Sequence, residues 1–327
     1  MISIREVAKL AGVSPSTVSR VMNATANVNE DKKQRVLRVI QETGFQPNEA
    51  ARTLYKKSAR IISMVVPNID NPFFNEITKS IEAEVYKHDY RLMLCNSDND
   101  VKKELHNIEL LTRMNADGII LLTTGGEVFQ KIHQFDIPVV VLDRELSNNH
   151  NVTYLEADHY EGGRLSMEHL LQCGCKNIVN MRGPQELSSG RKRFEGYLHA
   201  CQIHQIAPQF VDCKYEYEDG LKQAEVILRT YPNVDGIIAA NDMVALSVYK
   251  ILVKHGKKVP EDVQLIGFDN VRLSHILTPE LTTIAQPITE MGQQAVLSLI
   301  NQIEGRQTKK HYTFDVNLVA RQTTLLK

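Results

Sequence analysis

From residue 61 onward the chain repeats one pattern, a short, mostly apolar run followed by a stretch of helical periodicity. Ile61-Ile62-Ser63-Met64-Val65-Val66 is the first such run, and similar ones recur at 91–95, 118–122 and 139–142. The pattern restarts at Asn177-Ile178-Val179-Asn180-Met181 and recurs at 209–213, 235–239 and 263–267. Short apolar runs alternating with helices read as the strands of a parallel sheet covered on both faces. Two such sets in series predict two doubly wound α/β lobes. In sheets of this kind a ligand binds beyond the carboxyl ends of the strands.

The residues just past each strand are therefore informative. Asn68-Ile69-Asp70-Asn71-Pro72-Phe73-Phe74 comes after the first run, and Asp143-Arg144 after the fourth. In the second set the run at 177–182 leads into Arg191-Lys192-Arg193-Phe194-Glu195-Gly196. Tyr215-Glu216-Tyr217 lies just past 213, Asn241-Asp242 comes after the next run, and Asp269 after the one beyond it. Gln286-Pro287 closes a further strand-like stretch, Leu281–Ala285. Polar or aromatic groups thus end nearly every strand of both sets. Asp side chains accept from hydroxyls, Arg donates to vicinal oxygens, Asn and Gln do both, and aromatic rings can cover apolar faces of a ligand.

The first 60 residues are different. They carry eleven Lys/Arg against five Asp/Glu (+6), whereas the remainder carries 27 against 34 (−7). A basic head on an acidic body suggests that the head meets a polyanion. Ile4, Val7, Ala8 and Ala11 fall at helical spacing before Gly12. Ser14 is a good N-cap and Pro15 suits the first position of a second helix. In that helix Val18, Val21 and Met22 share one face, and Pro15, Ser16, Ser19 and Arg20 share the other. A third amphipathic helix is predicted at about 30–43, with Lys32, Lys33, Arg35 and Arg38 placed to approach phosphates. Two helices joined by a short turn, the second exposing hydroxyls and an Arg, form a helix-turn-helix that can enter a major groove.

Ile4-Arg5-Glu6-Val7-Ala8, Ala11-Gly12-Val13-Ser14, Thr17-Val18-Ser19-Arg20-Val21 and Asn23 resemble the start of a lactose-repressor (LacI/GalR-type) regulator. So does Gly44-Phe45-Gln46-Pro47-Asn48-Glu49-Ala50-Ala51-Arg52-Thr53-Leu54. The resemblance implies a helix-turn-helix domain over 1–46, a hinge helix and linker over 47–60, and a two-lobed sugar-binding and dimerisation domain over 61–327, similar to the periplasmic binding proteins. It implies DNA contacts from Ser14, Pro15, Ser16, Thr17, Ser19, Arg20, Asn27, Ala51, Leu54 and Tyr55. Ser16 and Arg20 would read bases. Leu54 would wedge between base steps and kink the duplex. Tyr55 departs from the basic residue many members carry.

Residues 61–327 look most like the ribose-binding members. The match implies effector contacts from Asn71, Phe73, Phe74, Asp143, Arg144, Arg191, Tyr217, Asn241, Asp269 and Gln286. The expected partners are a near-palindromic double-stranded operator, a second copy of the chain, and D-ribose or a similar neutral monosaccharide, with no membrane and no further cofactor. A tail without heptads favours a dimer over a tetramer.

Two other readings compete. One is a catabolite-control regulator of the same family with a phosphoprotein co-effector, which Asn96-Ser97-Asp98 faintly resembles. Its cleft should need few polar groups. The other is a sugar-binding transport protein, against which stand the basic head and an N-terminus without an apolar signal core. That N-terminus, the lack of any apolar stretch of about 18 residues, and five scattered Cys without a CxxC pair fit the cytoplasm. No Walker A loop, GxGxxG, HExxH or GxSxG occurs, and no nucleophile has a positioned base, so an enzyme and a metal site are not expected.

Overall fold

Ser3 opens α1 (Ile4–Ala11) with a reciprocal cap. Its hydroxyl accepts from the Glu6 amide at 3.3 Å, and the Glu6 carboxylate accepts from the Ser3 amide at 2.7 Å. Each contact satisfies a group that the first helical turn cannot. Gly12 ends the helix in a left-handed turn at φ +63°. In α2 (Pro15–Asn23) the Ser14 hydroxyl accepts from the Thr17 amide at 3.2 Å. Asn29 caps α3 (Glu30–Thr43). Val7, Ala8, Ala11, Val18, Val36 and Phe45 form the core between the three helices.

The structure is a computed structural model that describes residues 2–23, 27–45, 58–123, 125–143 and 152–326. It divides into two units, residues 1–59 and 60–327. The larger unit begins with β1 (Ile61–Val66), α4 (Pro72–Lys87), β2 (Arg91–Asn96), α5 (Val101–Arg113), β3 (Gly118–Leu121), α6 (Gly126–Lys131), β4 (Val139–Leu142) and β5 (Thr153–Ala157). The chain then enters a second lobe with α7 (His159–Gln172), β6 (Ile178–Arg182), α8 (Ser188–Ile203), β7 (Gln209–Asp212) and α9 (Tyr217–Thr230). It continues through β8 (Gly236–Ile238), α10 (Asp242–Lys254), β9 (Gln264–Asp269), α11 (Leu273–Ile276) and β10 (Thr282–Ala285). It returns to lobe one for α12 (Ile288–Ile303) and β11 (His311–Phe314), and crosses back for β12 (Asn317–Val319).

Each lobe holds a six-stranded sheet, ordered β11-β5-β4-β3-β1-β2 in one and β12-β10-β9-β8-β6-β7 in the other. All pairings are parallel except β10 with β12. The expected α/β class and two-lobed doubly wound architecture with an all-α head are what the chain adopts. Three strands escaped the pattern. β5 carries Thr153 and Glu156, while β11 and β12 are short edge strands, so none shows a continuous apolar run.

Burial tracks the runs that the sequence offered. β3 and β4 are buried throughout, and so are five of the six residues of β1. The backbone crosses between lobes three times, near 157–158, 286–287 and 315–316. Helices α7 and α8 approach unusually closely. A Cβ on Gly163 would stand 1.9 Å from the Arg193 carbonyl oxygen, and one on Gly196 would stand 1.9 Å from the Tyr160 carbonyl oxygen. Glycine is required at both contacts. This packing brings the start of α7 against the middle of α8.

Candidate functional site

The carboxyl ends of both sheets face a cleft of about 250 Å³ between the lobes. Its lobe-one wall includes Asn68, Asn71, Phe74 and Thr123, and its lobe-two wall includes Glu186, Tyr215 and Glu216. Asn71 caps α4, accepting from the Phe73 amide at 3.0 Å. That cap and Pro72 at the first helical position aim the two phenylalanines inward. Phe73 and Phe74 are buried and meet edge to face, with centroids 5.4 Å apart. Phe74 reaches the cleft, whereas Phe73 belongs to the core.

Behind this wall lies a chain of buried polar side chains. Asp269, at the end of β9, sits at φ +118°, and Asp143, at the end of β4, sits at φ +63°. Left-handed backbone at a residue with a side chain costs on the order of 1–3 kcal/mol and persists where surrounding structure demands it. Gln286 stands on a lobe crossing and donates its amide to Asp269 Oδ1 at 2.7 Å. The Arg193 guanidinium lies 3.6 Å from the same oxygen. It stacks on Phe268 at 3.5 Å and lies 5.5 Å from the Tyr215 ring. Arg193 also donates to the Ala240 carbonyl at 2.8 Å and to His159 Nδ1 at 3.3 Å. Asn241 caps α10 through its oxygen, accepting from the Val244 amide at 2.8 Å.

The electrostatics are set by burial. Desolvation, opposed by Arg193 and by the Gln286 hydrogen bond, pushes Asp269 up to about 7, and the charges of Asp143 and Glu76 push it further the same way. Asp242, deeper still, is raised by burial and by the charge of Asp269, although Thr283 and the Val271 amide donate to it. Among the described residues, the Gln286 Oε1 acceptor and the Tyr215 hydroxyl are buried without a hydrogen-bond partner. Buried polar atoms left in this way mark places where a ligand's polar groups complete the network.

The head presents a different surface. Ser14, Pro15, Ser16, Arg20 and Asn27 are exposed, Thr17 and Ser19 partly so, and Val18 is buried. The hydroxyls of Ser14, Ser16 and Thr17 are linked at the start of α2, at 2.7 and 2.9 Å. Lys32, Lys33, Arg35 and Arg38 are exposed along α3. Hydroxyls at the start of a helix and one Arg in its last turn, on its exposed face and beside a row of cations, suit a base-reading helix flanked by phosphate contacts.

Comparison with known proteins agrees with both halves. Residues 3–48 match the family profile of bacterial regulatory proteins of the lacI family. Residues 59–321 match that of the periplasmic binding proteins and the sugar-binding domain of the LacI family. The chain belongs to the LacI family. It is 36% identical over 325 residues to the ribose operon repressor of Halalkalibacterium halodurans, covering 99% of this chain and 97% of that one. Among solved structures, the lac repressor dimer bound to operator and the anti-inducer ONPF is 25% identical, with a TM-score of 0.89 and 99% of each chain covered. A LacI-family regulator from Enterococcus faecium with bound ribose is 28% identical, with a TM-score of 0.73, 82% of this chain and 99% of that one covered. This LacI-family chain is thus a DNA-binding transcriptional repressor with a sugar-binding domain, not an enzyme.

Within the LacI-family framework, besides Phe73, two expected cleft residues are displaced. Arg191 is half exposed and turns to Glu195 and the Gln185 carbonyl. Two residues on, Arg193 takes the buried place beside Asp269, because the Gly163 and Gly196 contacts press that face of α8 onto α7. Tyr217 begins α9 with its ring 5.6 Å from the Lys250 ammonium, while Tyr215 lines the cleft. Arg193 and Tyr215 do carry a signal, since both stand in the stretches directly past their strands. Periodicity alone does not say which residue of such a stretch faces in. No sequence pattern points to His159, which joins the site from the start of α7. Arg144, Ala51, Leu54 and Tyr55 lie outside the described residues. Asn96, Ser97 and Asp98 form a self-contained turn: Asn96 donates to Asp98, Ser97 donates to the Val66 carbonyl, and Lys103 pairs with Asp98. Among the described residues no helix is long and apolar enough to cross a membrane.

Proposed function

We propose that this chain represses genes of ribose uptake or use, and that D-ribose, bound between the lobes, releases it from a near-palindromic operator. The observation that carries the reading is the group of Asp269 and Gln286, buried at the strand ends of lobe two, with Arg193 of α8 beside them and Asp143 at the end of β4 in lobe one. Asp269 and Asp143 accept from hydroxyls. Of the five N–H groups on the Arg193 guanidinium, three point to His159, Ala240 and Asp269, which leaves two for vicinal sugar oxygens. Gln286 Oε1 and the Tyr215 hydroxyl lack partners that a polyol supplies. Asp143, Asp269, Glu186 and Glu216 around one buried Arg disfavour a phosphorylated sugar.

The ribose-bound relative and the ribose operon repressor support the same ligand. In this reading two copies of the head occupy two half-sites, and closure of the lobes about the sugar shifts the segment that joins each head to its body. By linkage, a sugar that weakens operator binding about 100-fold is itself weakened 100-fold by the operator, a coupling of about 2.7 kcal/mol.

The test combines thermal unfolding in D-ribose, allose, xylose, glucose, fructose and ribose 5-phosphate with a band shift on the promoter of a ribose-uptake gene. Ribose at 100 times its Kd adds about 2.7 kcal/mol, a shift of several degrees, and releases the DNA. Asp269→Ala removes both effects and leaves operator binding within about threefold. No shift with any sugar, or unchanged release from the variant, refutes the assignment of the cleft.

A further inference from the structure

His159 is fully buried at the first turn of α7, directly after the chain has crossed from lobe one to lobe two. Its two ring nitrogens face two different lobes. Nδ1 accepts from Arg193 Nε of α8 at 3.3 Å. Nε2 lies 3.1 Å from Asp143 Oδ1, at the end of β4 in lobe one. Burial drives the imidazole's proton affinity down, against the opposing pull of Asp143, so the ring is neutral. A neutral ring that accepts at Nδ1 carries its proton on Nε2, the nitrogen facing Asp143. The ring also lies beside Phe268, centroids 5.9 Å apart, on whose face Arg193 is stacked.

We propose that His159 is a positioning residue of the effector site: its Nδ1 holds the Arg193 guanidinium of lobe two in the rotamer that grips the sugar, while its Nε2 faces Asp143 of lobe one. The proposal rests on the reading of Arg193 and Asp143 as sugar contacts. His159 itself is fully buried and has no surface in the cleft. An arginine side chain has many rotamers, and Arg193 is held in one by Phe268, the Ala240 carbonyl and His159. Only the last of these also reaches the other lobe.

The experiment compares four variants of the full chain by calorimetric titration with D-ribose, with operator binding and thermal unfolding of the sugar-free protein measured alongside. His159→Phe keeps an aromatic ring and removes both nitrogens, and it should weaken ribose at least tenfold. His159→Asn keeps an oxygen where Nδ1 stands and should recover affinity to within about threefold of the parent. His159→Gln reaches toward Asp143 but has no acceptor at the Nδ1 position, so it should bind at least fivefold more weakly than His159→Asn. That difference between two variants of like polarity is not expected of a residue that merely fills space. If His159→Phe does not fold, the Asn and Gln variants carry the test by themselves. Equal affinities for that pair, or parental affinity in His159→Phe, overturn the proposal. Arg193→Ala separates it from the reading beneath it. Lost binding there with parental binding in His159→Phe refutes only the role of His159. Retained binding in Arg193→Ala, or no ribose uptake by the parent chain, refutes both.

Discussion

The head and the body solve opposite problems with the same side chains. Arg20 and its neighbouring hydroxyls stand in water on the face of a short helix, whereas Asp269 is buried at the end of β9 and Arg193, on α8, is mostly buried against it. A residue that waits in water for DNA is already solvated, so its contribution depends on docking geometry and on salt. A residue sealed in the body has lost its water, and each charge there needs its neighbours in place. The head should therefore respond to ionic strength and tolerate truncation, while the body should respond to pH and tolerate little.

The sharpest break in that comparison is a pair of arginines two residues apart. Arg193→Ala removes the buried partner of Asp269 and should weaken ribose about 100-fold, in line with a loss of about 2–5 kcal/mol for such a charge. Arg191→Ala should leave ribose affinity within about twofold, since that side chain is half exposed. Titration of both variants checks the assignment, and equal effects would undo it. Arg20→Ala comes next. Loss of one base contact should weaken the operator about tenfold or more, with ribose affinity unchanged. A band shift and a sugar titration on the same preparation test this.

Acidity separates the two regions more gently. In the proposed site Asp269 accepts from sugar hydroxyls most strongly when ionised, and in the sugar-free chain burial pushes it up to about 7. Ribose affinity should therefore rise about tenfold between pH 6 and pH 8. The sign for folding is the reverse. Its value in the folded chain stands above the ordinary 3.8, so its contribution to stability is fully present below about 4 and is lost as pH rises through about 7. Titration across this range, beside thermal unfolding, should show both trends in the parent; Asp269→Asn should lose the rise in ribose affinity and show a weaker fall in stability, because Asp242 stays raised by its own burial. The smallest effect belongs to the head. Ser3→Ala removes one side of a reciprocal cap and should cost about 1 kcal/mol of stability in that unit, without altering sugar affinity.

The contrast also explains what the sequence made legible. In the head the functional face is the complement of the core face, so burying Val18 leaves Ser16 and Arg20 outside with no further information. In the body the strands were readable because β1, β3 and β4 are almost wholly buried and so are apolar at every position but Ser63. The acids at their ends were readable too, since Asp143 and Asp269 directly terminate such runs. The helices and loops beyond were not. Whether Arg191 or Arg193 turns inward is decided by two glycine contacts between α7 and α8, and a non-local contact leaves no periodic trace. The choice between Tyr215 and Tyr217 is hidden for the same reason, since both stand where a strand passes into a helix. His159 had no motif to announce it, because its importance lies in facing residues 16 and 34 positions away.

The three crossings between the lobes carry a further consequence. Two bodies joined by one strand can swing in any direction, but three neighbouring strands act as a door hinge and leave essentially one axis of rotation. Gln286 stands on that hinge and donates to Asp269 of the proposed effector site. A signal that travels by rotation about a fixed axis does not encode which molecule produced it. On the proposed function, substitutions at the strand ends would rewrite the pocket for a different sugar without changing the axis about which the lobes close, and selectivity would be mechanically separable from output.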